Sequence, residues 1–298
     1  MNTMNLIDFF KAQKTILENL FGSDWFIKDV NKKDNHPAYE RWSLSTKLIK
    51  QNGIVRWPED KEKMSDIASI ILDNFFIVKY SGGDLNRFTL GTFSNCNEKV
   101  RKRIYTEIED PSKFFDKLTE LSYSAWHLSE GNEVIQYEED GYPDFKVYIK
   151  DIDLPIVTDC KKIKVDTQDN RFAKDITKAN KQIKALNEEC YGVVVIDISD
   201  KIRNPDVFSD EIPEEVERIS RIVKSAILNF NSAVSGVLLI WDDYVMLGIP
   251  GKAPKSTFAY RKRNMVLRHS NPKKELPDGL NLFDFGNTIV YDINWTPR

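Results

Sequence analysis

The feature that most constrains the fold is an uninterrupted apolar run at residues 192–196. Because polar residues do not alternate within it, this segment is predicted to be a strand covered on both faces, at the centre of an α/β sheet. Amphipathic helices are predicted at 172–186, where apolar residues are spaced 4, 3, 4 and 3 apart, and at 213–229. From residue 110 the predicted order is helix, three strands, helix, strand, helix and two strands. This order predicts an α/β fold with a mixed sheet flanked by helices.

Two of the predicted strands enclose a polar turn in the middle of the chain. Residues 145–149 alternate between apolar and polar side chains, and residues 155–161 follow an Asp- and Pro-bounded turn, so the pair is predicted to form a β-hairpin. Asp144 lies at the start of the first strand and Asp159 near the end of the second. Because Asp159 and Lys161 are two residues apart, they are predicted to project from one face of the sheet.

Two carboxylates and an ammonium group on one edge of a sheet have a specific chemical use. Carboxylate oxygens are the ligands of hard divalent cations such as Mg²⁺. A bound cation acts as a Lewis acid on a phosphoryl oxygen and lowers the pKa of bound water, and a neighbouring lysine can orient that water or stabilise charge on the phosphate. The group therefore predicts phosphodiester hydrolysis. The alternative left open is an exposed hairpin with ordinary surface charges.

Pro143-Asp144, followed by a hairpin that ends in Asp159-Cys160-Lys161, resembles the PD-(D/E)xK motif of the restriction-endonuclease-like superfamily. The resemblance implies a core of helix, three-strand meander, helix and strand. It also implies that Asp144 and Asp159 bind Mg²⁺ or Mn²⁺ and that Lys161 assists the attacking water.

The resemblance extends to one residue on each flanking helix. It implies that Glu120 is a further metal ligand or orients the water, and that Gln182 contacts the site. At about 100° of rotation per residue, Glu120 lies about 100° beyond the apolar stripe of its helix, which indicates a surface position. Gln182 lies about 40° outside the apolar face of its helix, which predicts a place at the seam between helix and sheet. The lysines of that second helix are predicted to be a solvated face, with a phosphate-backbone track as the alternative: Lys174, Lys178, Lys181 and Lys184.

Composition excludes several classes of protein. The chain is 41% hydrophobic, enough for a core, and its apolar runs are too short to span a bilayer. The net charge of −3 is segregated, since residues 252–274 hold eight Lys or Arg and no acid. No G-x-S-x-G, nucleotide-binding glycine pattern or zinc-like Cys spacing occurs, and Cys96, Cys160 and Cys190 are predicted to be reduced thiols. The expected location is the cytoplasm, with no membrane partner.

The chain divides at about residue 105. Residues 1–105 are predicted to be mainly helical, either a partner-binding module or a structural cover, and residues 106–298 form the nuclease-like α/β core with its basic C-terminal segment. Within that core, 236–241 and 244–249 are predicted to be two strands of a hairpin that turns at Asp242-Asp243. Aromatic residues lie among the basic residues of 252–268. They indicate either a strand packed on the core or a surface on which nucleobases stack.

The sequence thus predicts a Mg²⁺- or Mn²⁺-dependent nuclease. Its expected partner is nucleic acid, DNA in preference to RNA, and a homodimer is left open. The alternative is a catalytically silent nuclease-like fold that binds nucleic acid or protein, including one that serves in a defence system.

Overall fold

The computed structural model describes residues 6–27, 35–52, 70, 98–137, 141–202, 211–228, 232–247, 256–284 and 289–293. The helices in these ranges are α1 (Leu6–Phe21), α2 (Ser23–Ile27), α3 (Pro37–Lys50), α4 (Glu98–Glu109), α5 (Phe114–Ser129), α6 (Asn170–Ala185) and α7 (Glu214–Leu228), with a 3₁₀ turn at Ser199–Lys201. The strands are β1 (Glu133–Gln136), β2 (Phe145–Tyr148), β3 (Ile156–Lys162), β4 (Tyr191–Asp197), β5 (Val234–Leu247), β6 (Ser256–Arg268) and β7 (Ile289–Ile293).

These seven strands lie in one mixed sheet in the order β1 to β7. Strands β1, β2 and β3 are antiparallel neighbours, β3, β4 and β5 are parallel, and β5, β6 and β7 are again antiparallel. Apolar residues of α5 pack on one face of the sheet, and those of α6 and α7 pack on the other. The predicted α/β fold with a mixed sheet between helices is therefore confirmed. None of the helices described above is long and apolar enough to cross a membrane.

The predicted central strand is β4, and all seven of its residues are buried. It alternates its side chains between the two apolar clusters, with Val193 in the one that contains α5 and Val194 in the one that contains α6. Gly192 is required here because a Cβ at this position would lie 2.1 Å from the backbone oxygen of Ala233. The continuous apolar run thus has the environment on both faces that its composition predicts.

The described parts of residues 1–105 are helical and share the core of the sheet. Phe9 and Phe10 of α1 and Ile104 of α4 belong to the same buried cluster as Leu121 of α5. The predicted division at residue 105 falls inside α4. The helix predicted at 62–76, Ile70 apart, and the turn predicted at 81–84 lie outside the described residues.

The predicted hairpin at Asp242-Asp243 is wrong, because β5 runs straight through both acids. Each acid is neutralised across the sheet by β6: Asp242 Oδ1 lies 2.7 Å from Lys262 Nζ, and Asp243 Oδ2 lies 2.7 Å from Arg261 Nη2. Two adjacent acids are therefore a weaker sign of a turn when basic residues of a neighbouring strand can pair with them. The basic side chains of β6 at these positions are therefore part of the sheet's own ion pairs, as the strand interpretation of 252–268 requires.

Candidate active-site cleft

The predicted hairpin of β2 and β3 is present, and it places the two acids side by side. Its antiparallel register pairs Phe145 with Thr158, and Asp144 and Asp159 are one step beyond that pair. The Asp144 carboxylate is fixed to the neighbouring strand, since its Oδ2 accepts a hydrogen bond of 2.6 Å from the Cys160 backbone N–H. Residues at such facing positions project from the same side of a sheet.

Lys161 faces the acids, and Cys160 faces away from them. The Lys161 Nζ lies 2.7 Å from Asp159 Oδ2 and donates a 2.9 Å hydrogen bond to the Cys160 carbonyl oxygen. Cys160 packs instead in the apolar cluster that contains α5. The predicted alternation along β3 is confirmed.

Asp144, Asp159 and Lys161 line one polar cleft of about 150 Å³. The hairpin and the loop before β2 form its floor. Its walls come from three helices, with Arg103 and Glu107 from α4, Lys117 from α5, and Lys178 and Gln182 from α6. The cleft therefore lies between the β2–β3 hairpin and three helices.

The electrostatics of the cleft are set by a buried carboxylate, Asp159, beside a partly buried one, Asp144. Burial and the neighbouring charge of Asp144 raise the pKa of Asp159 to about 6, against the opposing effect of Lys161. Burial lowers the pKa of Lys161, but the negative charges of Asp144 and Asp159 outweigh it and raise the pKa overall. Lys161 is therefore a cation at neutral pH, and Asp159 ionises at a higher pH than an ordinary aspartate but is mostly ionised at pH 7.

The surface position predicted for Glu120 is wrong, because its side chain is only 2% exposed. Helix α4 packs against α5 and covers the side of the helix that the apolar stripe leaves open. Glu120 forms an ion pair with Lys117, whose Nζ also lies 2.7 Å from Glu107 Oε2. Burial raises the pKa of Glu120 to about 7, although the positive charge of Lys117 opposes the shift.

Glu120 is connected to the acid pair without lining the cleft. With its amide oriented to satisfy both ends, Gln136 Nε2 donates to Glu120 Oε1 at 2.8 Å and to the Asp144 carbonyl oxygen at 3.1 Å. Lys117 lines the cleft, whereas Glu120 and Gln136 do not. Glu120 thus supports the backbone of Asp144 and the position of Lys117.

Gln182 lies in the cleft wall, at the seam where the rotation about α6 predicts it. Its Nε2 donates a 2.6 Å hydrogen bond to the carbonyl oxygen of Tyr142, two residues before Asp144. This contact ties α6 to the loop that carries the first acid of the motif.

Sequence reasoning missed several cleft residues. Lys178 is predicted above to lie on a solvated helix face, but it lines the cleft, as does Arg103. Two sequence spacings could have placed lysines beside the predicted site residues. Lys117 is three residues before Glu120 and Lys178 is four before Gln182, so each pair lies on one side of its helix.

His127 does not contribute to the cleft, although it lies two helical turns after Glu120. It is fully buried, with its ring 4.9 Å from the ring of Tyr123 and 4.5 Å from that of Trp126. Burial lowers its pKa to about 3, so it stays neutral in the core.

A divalent cation in the cleft would depend on carboxylate ligands. The described ranges contain no group of three or more His, Cys, Asp or Glu side chains arranged to hold a metal ion. The cleft offers a carboxylate pair, and Asp159 Oδ2 is buried within ion-pair distance of Lys161 but is not aligned for a hydrogen bond with any described residue. One or two carboxylates, completed by water and substrate phosphate, is the usual protein contribution to a Mg²⁺ site, so Asp144 and Asp159 fit it.

No protein-family model, curated protein or solved structure matches this chain.

Proposed function

We propose that this protein is a nuclease that hydrolyses phosphodiester bonds of nucleic acid with a divalent cation, on a restriction-endonuclease-like core. The observation that carries the proposal is the convergence of Asp144, Asp159 and Lys161 in one polar cleft on the β2–β3 hairpin. The order α5, β1, β2, β3, α6 and β4 supports it, because the motif resemblance implies this succession of elements.

In this proposal Asp144 and Asp159 hold Mg²⁺ or Mn²⁺. The bound cation would supply Lewis acidity to a phosphoryl oxygen and lower the pKa of a coordinated water. The Cys160 N–H fixes one oxygen of Asp144, which leaves the other for a ligand role. A cation would also offset the burial and the repulsion from Asp144 that together raise the pKa of Asp159.

Lys161 is the residue that acts on the substrate side. Because its pKa is raised, its ammonium group is a hydrogen-bond donor and not a proton acceptor at neutral pH. Its role is therefore to orient the attacking water or to stabilise negative charge that develops on the phosphate. Glu120, bound to Lys117 and Gln136, positions the Asp144 segment in this account, and the ligand role that the motif implies for it requires Lys117 to release it.

The test is cleavage of single- and double-stranded DNA and RNA by the purified protein with Mg²⁺ or Mn²⁺. We expect cleavage by the wild type and none by Asp144→Asn or Asp159→Asn. Asp151→Asn is the matched control, since Asp151 is an exposed acid in the turn of the same hairpin with a φ of 67° that Asn tolerates. Equal traces for wild type and site variants with every substrate would overturn the proposal.

A second candidate is a nuclease-like fold that binds without cleaving. It is favoured by the ion pair between Lys161 and Asp159, which already supplies one positive charge to the acid pair. Metal-independent binding of nucleic acid or of a protein, with no cleavage by the wild type under any condition, would select this candidate.

A further inference from the structure

One side of the cleft mouth carries an aromatic ring that is exposed and held in place. Tyr142 is 38% exposed and lines the cleft beside Asp144. Its ring stacks on that of Tyr137, with centroids 5.9 Å apart and planes 29° from parallel. Tyr137 is itself anchored, because its hydroxyl donates a 2.8 Å hydrogen bond to Glu188. Together with the hydrogen bond from Gln182 to its carbonyl oxygen, this support orders Tyr142 before any ligand arrives.

The part of α6 that lines the cleft carries positive charge. Lys178 lines the cleft and also a shallow groove of about 350 Å³ along α6, where Lys174 and Lys181 are its neighbours. All three lysines are exposed, and none forms an ion pair with the part of the chain that the structure describes. The charge of Lys178 also reaches the acid pair, since it lowers the pKa of Asp159. A continuous basic groove therefore leads from the surface of α6 to the acids.

We propose that the cleft and this groove bind single-stranded nucleic acid, with one unpaired base stacked on Tyr142 and the adjoining phosphates along Lys178, Lys181 and Lys174. The proposal deepens the nuclease function and rests on the same site. Within a duplex the faces of each base are covered by its neighbours, so an ordered, exposed ring next to the acids favours a strand whose bases are free to stack. The lysines neutralise the backbone without reading sequence.

Binding can be measured without catalysis by fluorescence anisotropy of a labelled oligonucleotide in EDTA. The arms are single-stranded DNA, single-stranded RNA of the same sequence, and the DNA duplex. We expect both single strands to bind at least tenfold more tightly than the duplex. Tyr142→Ala should weaken single-strand binding by about tenfold, whereas Tyr142→Phe, which keeps the ring, should stay close to the wild type. Tyr148→Ala is the control, since Tyr148 is 40% exposed but lies outside the cleft.

The lysines are tested through the salt dependence of the same binding. Lys178→Ala combined with Lys181→Ala should reduce the slope of log Kd against log salt by about 1.4, from about 0.7 per phosphate contact on a single strand. Lys184→Ala, an exposed lysine of α6 outside both the cleft and the groove, should leave the slope unchanged.

The outcomes separate this inference from the proposed catalysis. Equal affinity for duplex and single strand, or an unchanged Kd in Tyr142→Ala, overturns the single-strand inference even if the wild type cleaves. Single-strand binding with the expected variant pattern supports the inference, and absence of cleavage with any metal would then contradict only the hydrolytic proposal. The Phe variant guards against misfolding, because it keeps the ring and the backbone contact of Tyr142.

Discussion

Two neighbouring lysines of β3 lie in opposite electrostatic environments. Lys161 faces the open cleft, where its Nζ is 2.7 Å from Asp159. Lys162 faces the α5 side, where its Nζ is 3.3 Å from Asp197 in a buried charge network. Lys262 completes that network, 3.6 Å from Asp197 and 2.7 Å from Asp242. One face of the strand thus carries a buried network in which two ammonium groups lie near Asp197, and the other face carries a carboxylate pair with one ammonium group against it.

The pKa values of Asp197 and Asp159, the acids that pair with Lys162 and Lys161, are shifted in opposite directions. Burial acts to raise the pKa of Asp197, but Lys162, Lys262 and the hydrogen bonds from Ser199 outweigh it and hold the pKa well below its ordinary value. The pKa of Asp159 is raised to about 6, because burial and Asp144 outweigh Lys161. A buried acid held near two ammonium groups is part of the fold, whereas a carboxylate pair whose buried member has a raised pKa is suited to recruit a cation from solution.

The largest expected effect is on stability and comes from the buried network around Asp197. Lys162→Met keeps the apolar length of the side chain but removes one of the two ammonium groups near Asp197. We expect the free energy of unfolding to fall by about 3–5 kcal/mol, the usual cost of removing one partner of a buried ion pair. Urea denaturation measures it, and a loss below about 1 kcal/mol would show that the network does not stabilise the fold.

The same substitution one residue earlier is expected to affect catalysis. Lys161→Met should lower the rate of cleavage about 100- to 1000-fold, the usual effect of removing a donor that stabilises transition-state charge. Its stability should fall less than that of Lys162→Met, because 16% of the Lys161 side chain is exposed and Asp159, with a pKa already raised to about 6, can neutralise itself by binding a proton. If Lys161→Met unfolds as readily as Lys162→Met, the contrast between the two faces fails.

A smaller effect is expected in the pH dependence of stability. The pKa of Asp159 is about 6 in the folded protein against an ordinary value of 3.8, so the folded state holds more protons between these values. Stability therefore falls as pH rises through this window, by about 2–3 kcal/mol for Asp159 alone. Glu120 acts in the same direction, with a pKa of about 7 against 4.5.

The variant Asp159→Asn separates the contribution of Asp159 to the pH dependence of stability from that of Glu120. We expect the variant to be more stable than the wild type at pH 8 and equal to it below about pH 3, where the wild-type carboxyl is protonated in both states. Urea unfolding across this pH range provides the comparison. Parallel curves for the two proteins would mean that Asp159 is not the strained acid of the cleft.

The smallest effect concerns cation affinity. The ammonium group of Lys161 lies against Asp159 and adds positive charge to the pair that would hold a metal ion. We expect Lys161→Met to bind Mn²⁺ about tenfold more tightly than the wild type, a difference of about 1.4 kcal/mol. Weaker binding in calorimetric titration would show instead that Lys161 helps to form the cation site.

The hairpin and the central strand could be predicted because their signals are local. The alternation of 145–149, the polar turn and the spacing of Asp159 from Lys161 each determine a direction without information from distant parts of the chain. The apolar run of β4 likewise has one common environment in α/β proteins. These features account for the part of the cleft that the sequence predicted correctly.

The errors have long-range causes. Asp242 and Asp243 remain inside a strand because Lys262 and Arg261, about twenty residues later, neutralise them. Glu120 is buried because α4 covers a side of α5 that helical rotation alone leaves to solvent. Lys178 lines the cleft because α6 crosses the sheet beside β3, a placement that the spacing of its lysines does not determine.

The central claim is that Asp144 and Asp159 share one cation, and Mn²⁺ binding followed by electron paramagnetic resonance tests it most directly. The account predicts one bound Mn²⁺ per chain in the wild type and in Asp151→Asn, with binding lost in both Asp144→Asn and Asp159→Asn. Full Mn²⁺ occupancy in either site variant, or no bound Mn²⁺ in the wild type, would contradict it.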